Sequence, residues 1–131
     1  MIFVDTSAWY ADLVGDDANH SRARDFVAAN EESLVTTDYI VAETLNLLVA
    51  RGYRDRAAVA AEEFFSQQWA AIEWVRPSDI ERAREVLAAF HDKAWSFTDC
   101  VSFAVIERLR LKRAFAFDRH FQQFGTVQVL P

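Results

Sequence analysis

Four carboxylates stand where a carboxylate is conspicuous. Asp5 and Asp118 each follow directly on a strand-like run, residues 2–4 and 114–117. In an open parallel sheet the carboxyl ends of the strands face the crevice where ligands bind. Glu43 falls on a helical wheel between Tyr39 and Leu47 and close to Ile40, within a stretch that carries no other charge from residue 39 to 50. Buried there without an Arg, a proton or a metal as partner, it would cost several kcal/mol. Asp99 shares a wheel face with Phe103 and Ile106, and the next acid along that helix is Glu107.

Each residue also has a purely structural explanation. Asp5 and Asp118 suit the cap of the helix or turn behind them. Ser96-Phe97-Thr98-Asp99 has the shape of a capping box, with Asp in place of the longer Glu, and Glu43 could belong to a buried ion pair. Taken together the four say more, because four carboxylates in one crevice would repel one another intolerably without protons or a divalent cation. An oxygen-only donor set suits Mg2+ or Mn2+. Such ions lower the pKa of a bound water and stabilise a leaving oxygen, which is the chemistry of phosphodiester hydrolysis. A histidine base is possible but not needed: His20, His91 and His120 are far apart in sequence, only His120 is close to a candidate acid, and surface roles are expected for them.

The elements that must position these acids read as follows. A strand at 2–4 leads into a helix at 6–14, and Asp17 caps a helix to about residue 30. A brief strand at 34–36 precedes a largely buried helix at 38–50, which Arg51-Gly52 stops. A helix at about 55–68, a strand at 72–75 and a helix to about residue 91 follow, the last opened by Ser78 and Glu81 as a capping box. Then come an apolar helix at 96–111, the strand at 114–117 and a last strand at 127–130. Strands separated by helices cannot pair as hairpins, so the expectation is an α/β fold with about five parallel strands and helices on both faces.

Composition bounds the rest. The chain has 131 residues, 52% hydrophobic, with three Gly and two Pro, which predicts one domain over residues 1–131 and excludes a disordered or linker-rich chain. Fourteen Lys and Arg against twenty Asp and Glu give a net charge of -6, so a polyanionic partner would have to be held by local positive charge or a bound cation. The one cysteine, Cys100, reads as an inert buried thiol and allows no internal disulfide, which fits a reducing cytoplasm. Met1 runs into Ile2, Phe3 and Val4 without a basic segment or a long apolar one, and no run of ~18 apolar residues occurs, so the expectation is a soluble, unprocessed protein without a membrane span. Arg108, Arg110, Lys112 and Arg113 are expected at the solvated end of a helix. Trp9, one turn past Asp5, is a candidate for the rim of the site, while the other tryptophans read as core or interface anchors.

The segments Phe3-Val4-Asp5-Thr6-Ser7, Val41-Ala42-Glu43-Thr44-Leu45-Asn46, Ser96 to Ala104 and Ala116-Phe117-Asp118-Arg119-His120-Phe121 together resemble the PIN-domain ribonucleases, and more closely the VapC-type toxins of toxin-antitoxin pairs. In order and spacing the likeness covers essentially the whole chain. It implies that Asp5, Glu43, Asp99 and Asp118 are the acidic quartet that holds Mg2+ or Mn2+. Ser7, and less directly Thr98, would support the site. It further implies a three-layer fold around a five-stranded parallel sheet, an RNA substrate, a homodimer and a cognate antitoxin protein. Arg119, beside Asp118, is the candidate for substrate contact.

Rival readings fare less well. A receiver domain needs an Asp after its third strand, and Ile72-Glu73-Trp74-Val75-Arg76-Pro77 has none; a haloacid dehalogenase-type phosphatase needs a second Asp where Ser7 stands. A PIN-like module that only binds a partner protein, its acids structural, remains the alternative from a different class.

Overall fold

The computed structural model describes residues 1–131. β1 (Ile2–Val4) is the central strand of a five-stranded parallel sheet in the order β3-β2-β1-β4-β5, formed with β2 (Leu34–Thr37), β3 (Ala71–Glu73), β4 (Arg113–Phe115) and β5 (Gln128–Leu130). All three residues of β1 are buried, as a strand covered by helices on both faces must be. The helices are α1 (Thr6–Leu13), α2 (His20–Ala29), α3 (Asp38–Ala50), α4 (Arg54–Phe65), α5 (Pro77–Ala89), α6 (Phe97–Leu109) and the short α7 (His120–Gln123). No helix is long and apolar enough to cross a membrane.

The order of elements is the expected one except for α7, a short helix that the sequence reading does not contain, and three further local corrections apply. α2 begins at His20 rather than at Asp17, whose carboxylate instead accepts from the Asn19 N–H at 2.8 Å in a turn. α5 begins at Pro77, two residues ahead of the expected start for a Ser78 cap, because Asp79 accepts from the Arg76 N–H at 2.9 Å and supplies the cap. β4 ends at Phe115, so Asp118 lies three residues beyond the strand and turns directly into α7.

Two aromatic groups fill the core. Trp9 packs on Phe64 and Trp69, with ring centroids 5.0 and 6.1 Å away. Trp95, Phe103 and Phe124 pack at 5.1 to 6.1 Å. Trp9 is therefore not a rim residue: it is 3% exposed, and its indole N–H donates to Thr36 Oγ1 at 3.3 Å. Cys100 is buried as expected, and burial, together with the Asp99 charge, pushes its thiol pKa up and keeps it unreactive.

The basic residues at the end of α6 are not uniformly solvated. Arg108 turns inward, donating to both oxygens of Asp79 at 2.8 and 2.9 Å and to Glu73 at 2.7 Å, so one guanidinium ties α6 to α5 and β3. Arg113 pairs with Glu32. Arg110 and Lys112 alone of the four stay exposed and unpaired, with Arg110 in the left-handed conformation that ends α6.

Candidate active site

Asp5 is both a cap and a candidate ligand. The chain leaves β1 extended at Asp5, and Asp5 Oδ2 accepts from the Ser7 N–H at 3.0 Å and the Ser7 hydroxyl at 2.5 Å. Oδ1 has no donor within the protein. Ser7 Oγ in turn accepts the backbone N–H groups of Phe117 at 3.0 Å and Asp118 at 3.2 Å. One hydroxyl thus fastens the exit of β1 to the segment that carries Asp118.

Asp99 repeats the arrangement at the start of α6. Ser96 Oγ accepts from the Asp99 N–H at 3.1 Å, and Asp99 Oδ2 accepts from the Ser96 N–H at 2.9 Å. Asp118 Oδ1 accepts from the His120 N–H at 2.9 Å. The capping readings of Asp5 and Asp99 are therefore correct and do not compete with a site: each cap occupies one carboxylate oxygen and leaves the other free.

Glu43 projects from α3 into a cleft of about 820 Å³ whose walls include Asp38, Tyr39, Asn46, Leu47 and Thr98. No Arg or Lys pairs with Glu43, Asp5, Asp99 or Asp118, so the ion-pair explanation of Glu43 does not hold. Thr98 borders the same cleft, and its hydroxyl makes no hydrogen bond to the acids. Arg119 is exposed at the start of α7 and touches none of the four carboxylates.

Asp5 feels the charges of two of the other acids, Asp99 and Glu43. Burial pushes the Asp5 pKa up from 3.8 to about 7; hydrogen bonds from Ser7 oppose that rise, and the charges of Asp99 and Glu43 add to it. Asp5 is 4% exposed, so without a cation beside it the protonated form is favoured far more than for an ordinary carboxyl.

His120 is the residue that the sequence reading misplaced. Its Nδ1 lies 3.1 Å from Asp99 Oδ2 and 3.3 Å from Asp118 Oδ1, and donor atoms of Asp99, Asp118 and His120 all fall within 4.8 Å of one another. The only available signal was its position two residues after Asp118. Partly buried carboxylates with free oxygens and no Arg or Lys partner have the donor chemistry that a divalent cation requires.

A model of the PIN domain matches residues 2–127. The chain belongs to the PIN-domain family. Within that family it is similar to VapC nucleases. It is 37% identical over 132 aligned residues to the 23S rRNA-specific endonuclease VapC20 of Mycobacterium tuberculosis, covering 100% of this chain and 99% of that protein. The crystal structure of that organism's VapC20, a sarcin-ricin loop cleaving toxin, matches this PIN domain with a TM-score of 0.92 at 35% identity over 100% of both chains. Ribonuclease VapC26 of Mycobacterium tuberculosis is 23% identical over 121 residues, 92% of this chain and 89% of that protein. This PIN domain is a VapC-type nuclease, and its free carboxylates make a site fit for a divalent metal.

Proposed function

We propose that this PIN domain is the toxin of a toxin-antitoxin pair, a metal-dependent endoribonuclease in which Asp5, Glu43, Asp99 and Asp118 together hold Mg2+ or Mn2+. The observation that supports this reading is a set of carboxylates, two buried (Asp5 and Asp99) and two half-buried (Glu43 and Asp118), each with an oxygen left free and none paired with Arg or Lys. Held by these carboxylates, a divalent cation would supply acidification of water and stabilisation of the negative charge on the phosphoryl and leaving oxygens. The protein's own part is to hold the ligands rigidly: backbone N–H groups fix one oxygen each of Asp5, Asp99 and Asp118, and Ser7 fixes the distance between the β1 and β4 segments.

The likeness to VapC20 supports a stem-loop of 23S rRNA, the sarcin-ricin loop, as the substrate. As a toxin of this type the protein would be neutralised by a cognate antitoxin protein and would act as a homodimer in the cytoplasm. Arg119, next to Asp118 in the chain and exposed, is the residue proposed to meet a substrate phosphate.

The test is direct. Protein purified free of any partner should cut a sarcin-ricin stem-loop RNA in Mg2+ or Mn2+ and stop in excess EDTA. Asp5→Asn and Asp99→Asn should each abolish cutting with the circular dichroism spectrum unchanged, since Asn is isosteric with the protonated acid that Asp5 readily becomes. Undiminished cutting by both variants, or in EDTA, would return the chain to the class of non-catalytic binding modules.

A further inference from the structure

We infer that a second cleft, joined to the catalytic one at Tyr39 and carrying Arg76 and Arg84, holds the RNA phosphate backbone beyond the cut site. The inference rests on the ribonuclease reading above and adds to it the location of the positive charge that a chain of net charge -6 must present to a polyanion.

The cleft has a volume of about 700 Å³ and is lined by Tyr39, Val75, Pro77, Ser78 and Ile80, with Arg76, Arg84 and one acid, Glu81. Tyr39 also lines the acidic cleft that contains Glu43, so the two are neighbours across one side chain. The wall between them is fixed, because Asp38, the first residue of α3, accepts from the Val75 N–H at 2.8 Å. Ile80 and Arg84 stand at i and i+4 on α5, which puts the guanidinium on the face that borders the cleft.

Most other cations are committed elsewhere. Arg24, Arg82, Lys93, Arg108 and Arg113 pair with carboxylates. Arg22, Arg51 and Arg56 lie over aromatic rings. Arg84 has no carboxylate partner. Arg76 has only Glu73 at 3.5 Å, with its side chain 61% exposed, a pair too weak and too wet to compete with a phosphate. The lining thus changes from net negative around Glu43 to net positive around Arg84, and a chain of phosphates laid along this trough meets cations only after it has passed the acids.

The experiment uses full-length protein carrying Asp99→Asn, so that RNA is bound without being cut, and a fluorescent sarcin-ricin stem-loop RNA in Mg2+. Adding Arg76→Ala and Arg84→Ala together should weaken binding about tenfold at low salt. It should also flatten the dependence of log K on log salt by roughly 1.5, as expected for two lost phosphate contacts at about 0.7 to 0.9 each. Arg84→Lys should restore most of the salt slope. Arg54→Ala, at the exposed start of α4, should change neither quantity.

An unchanged Kd and slope in the double variant overturns the proposal. So does a shift from dimer to monomer in sedimentation accompanying the loss of RNA, which would assign the cleft to contact between two copies. Cleavage by the unmutated protein is followed in parallel: if it cuts the RNA while the double variant binds as before, only the second cleft is refuted. If it neither binds nor cuts, the ribonuclease reading falls and this inference with it.

Discussion

His120 Nδ1 approaches Asp99 on Oδ2, at 3.1 Å, the oxygen that already accepts the Ser96 N–H. Its contact with Asp118, at 3.3 Å, is likewise on Oδ1, which accepts the His120 N–H. The imidazole therefore bridges two carboxylates through oxygens that are already hydrogen-bonded and leaves their other oxygens free. Outer partners of this kind orient metal ligands, and losing them typically weakens metal binding by about 10- to 100-fold. His120→Ala should weaken Mn2+ binding by about tenfold or more in a titration followed by electron paramagnetic resonance, and His120→Gln, which keeps a donor, should recover part of it. Equal affinity in His120→Ala would refute the bridging role.

Ser7→Ala removes the donor that sits 2.5 Å from Asp5 and leaves the Phe117 and Asp118 N–H groups without their acceptor. Unsatisfied partly buried donors cost about 1–3 kcal/mol. Chemical denaturation should show a loss in that range, and RNA cutting should fall much further than the stability does, because the β1 and β4 segments lose their common fastening. A variant with unaltered cutting would show that the acids are positioned by other means.

Asp5 makes stability depend on pH in the metal-free protein. Its pKa rises from 3.8 to about 7 on folding, so between those values the folded chain binds more proton than the unfolded one. Stability contributed by this residue is full below about pH 4, is lost as pH rises and levels off above about pH 7. Asp5→Asn should remove that slope from thermal melts in EDTA and make the protein more stable at pH 8. Divalent cation binding should in turn release close to one proton per ion at pH 6. Calorimetry in two buffers of different ionisation enthalpy measures that number, and zero protons would contradict the assignment of Asp5 as a ligand.

The Arg108 ion pairs are structural. Burial opposes ionisation of Asp79, but hydrogen bonds from Arg108 and from the Arg76 N–H outweigh it and hold the carboxyl below its ordinary pKa. Arg108→Ala strands a carboxylate that is 2% exposed and should destabilise the fold by about 3–5 kcal/mol. Asp79→Asn should cost less, because it removes charge and cap without stranding an anion. With a depressed pKa the contribution of Asp79 is present above the unfolded value and is lost as pH falls through the folded one. Acid unfolding of the native chain, compared with Asp79→Asn, reads this difference.

Much of this protein was legible in the residues alone. The alternation of short apolar strands with helices determined a parallel α/β sheet, with Asp5 directly at the end of the first strand, because periodicity and chain connection are local properties. The wheel position of Glu43 singled it out for the same reason. What the tertiary structure decided was every partnership across distance. Arg108 reads as a solvated helix end until α5 and α6 pack and bring Asp79, 29 residues away, to 2.8 Å. Trp9 reads as a rim residue until Trp69 and Phe64 close over it. His120 enters the site only because α7 turns back beside the start of α6, 21 residues earlier in the chain. Charge pairing and hydrogen bonding act over a few ångströms in space, and only packing determines which distant residues come that close.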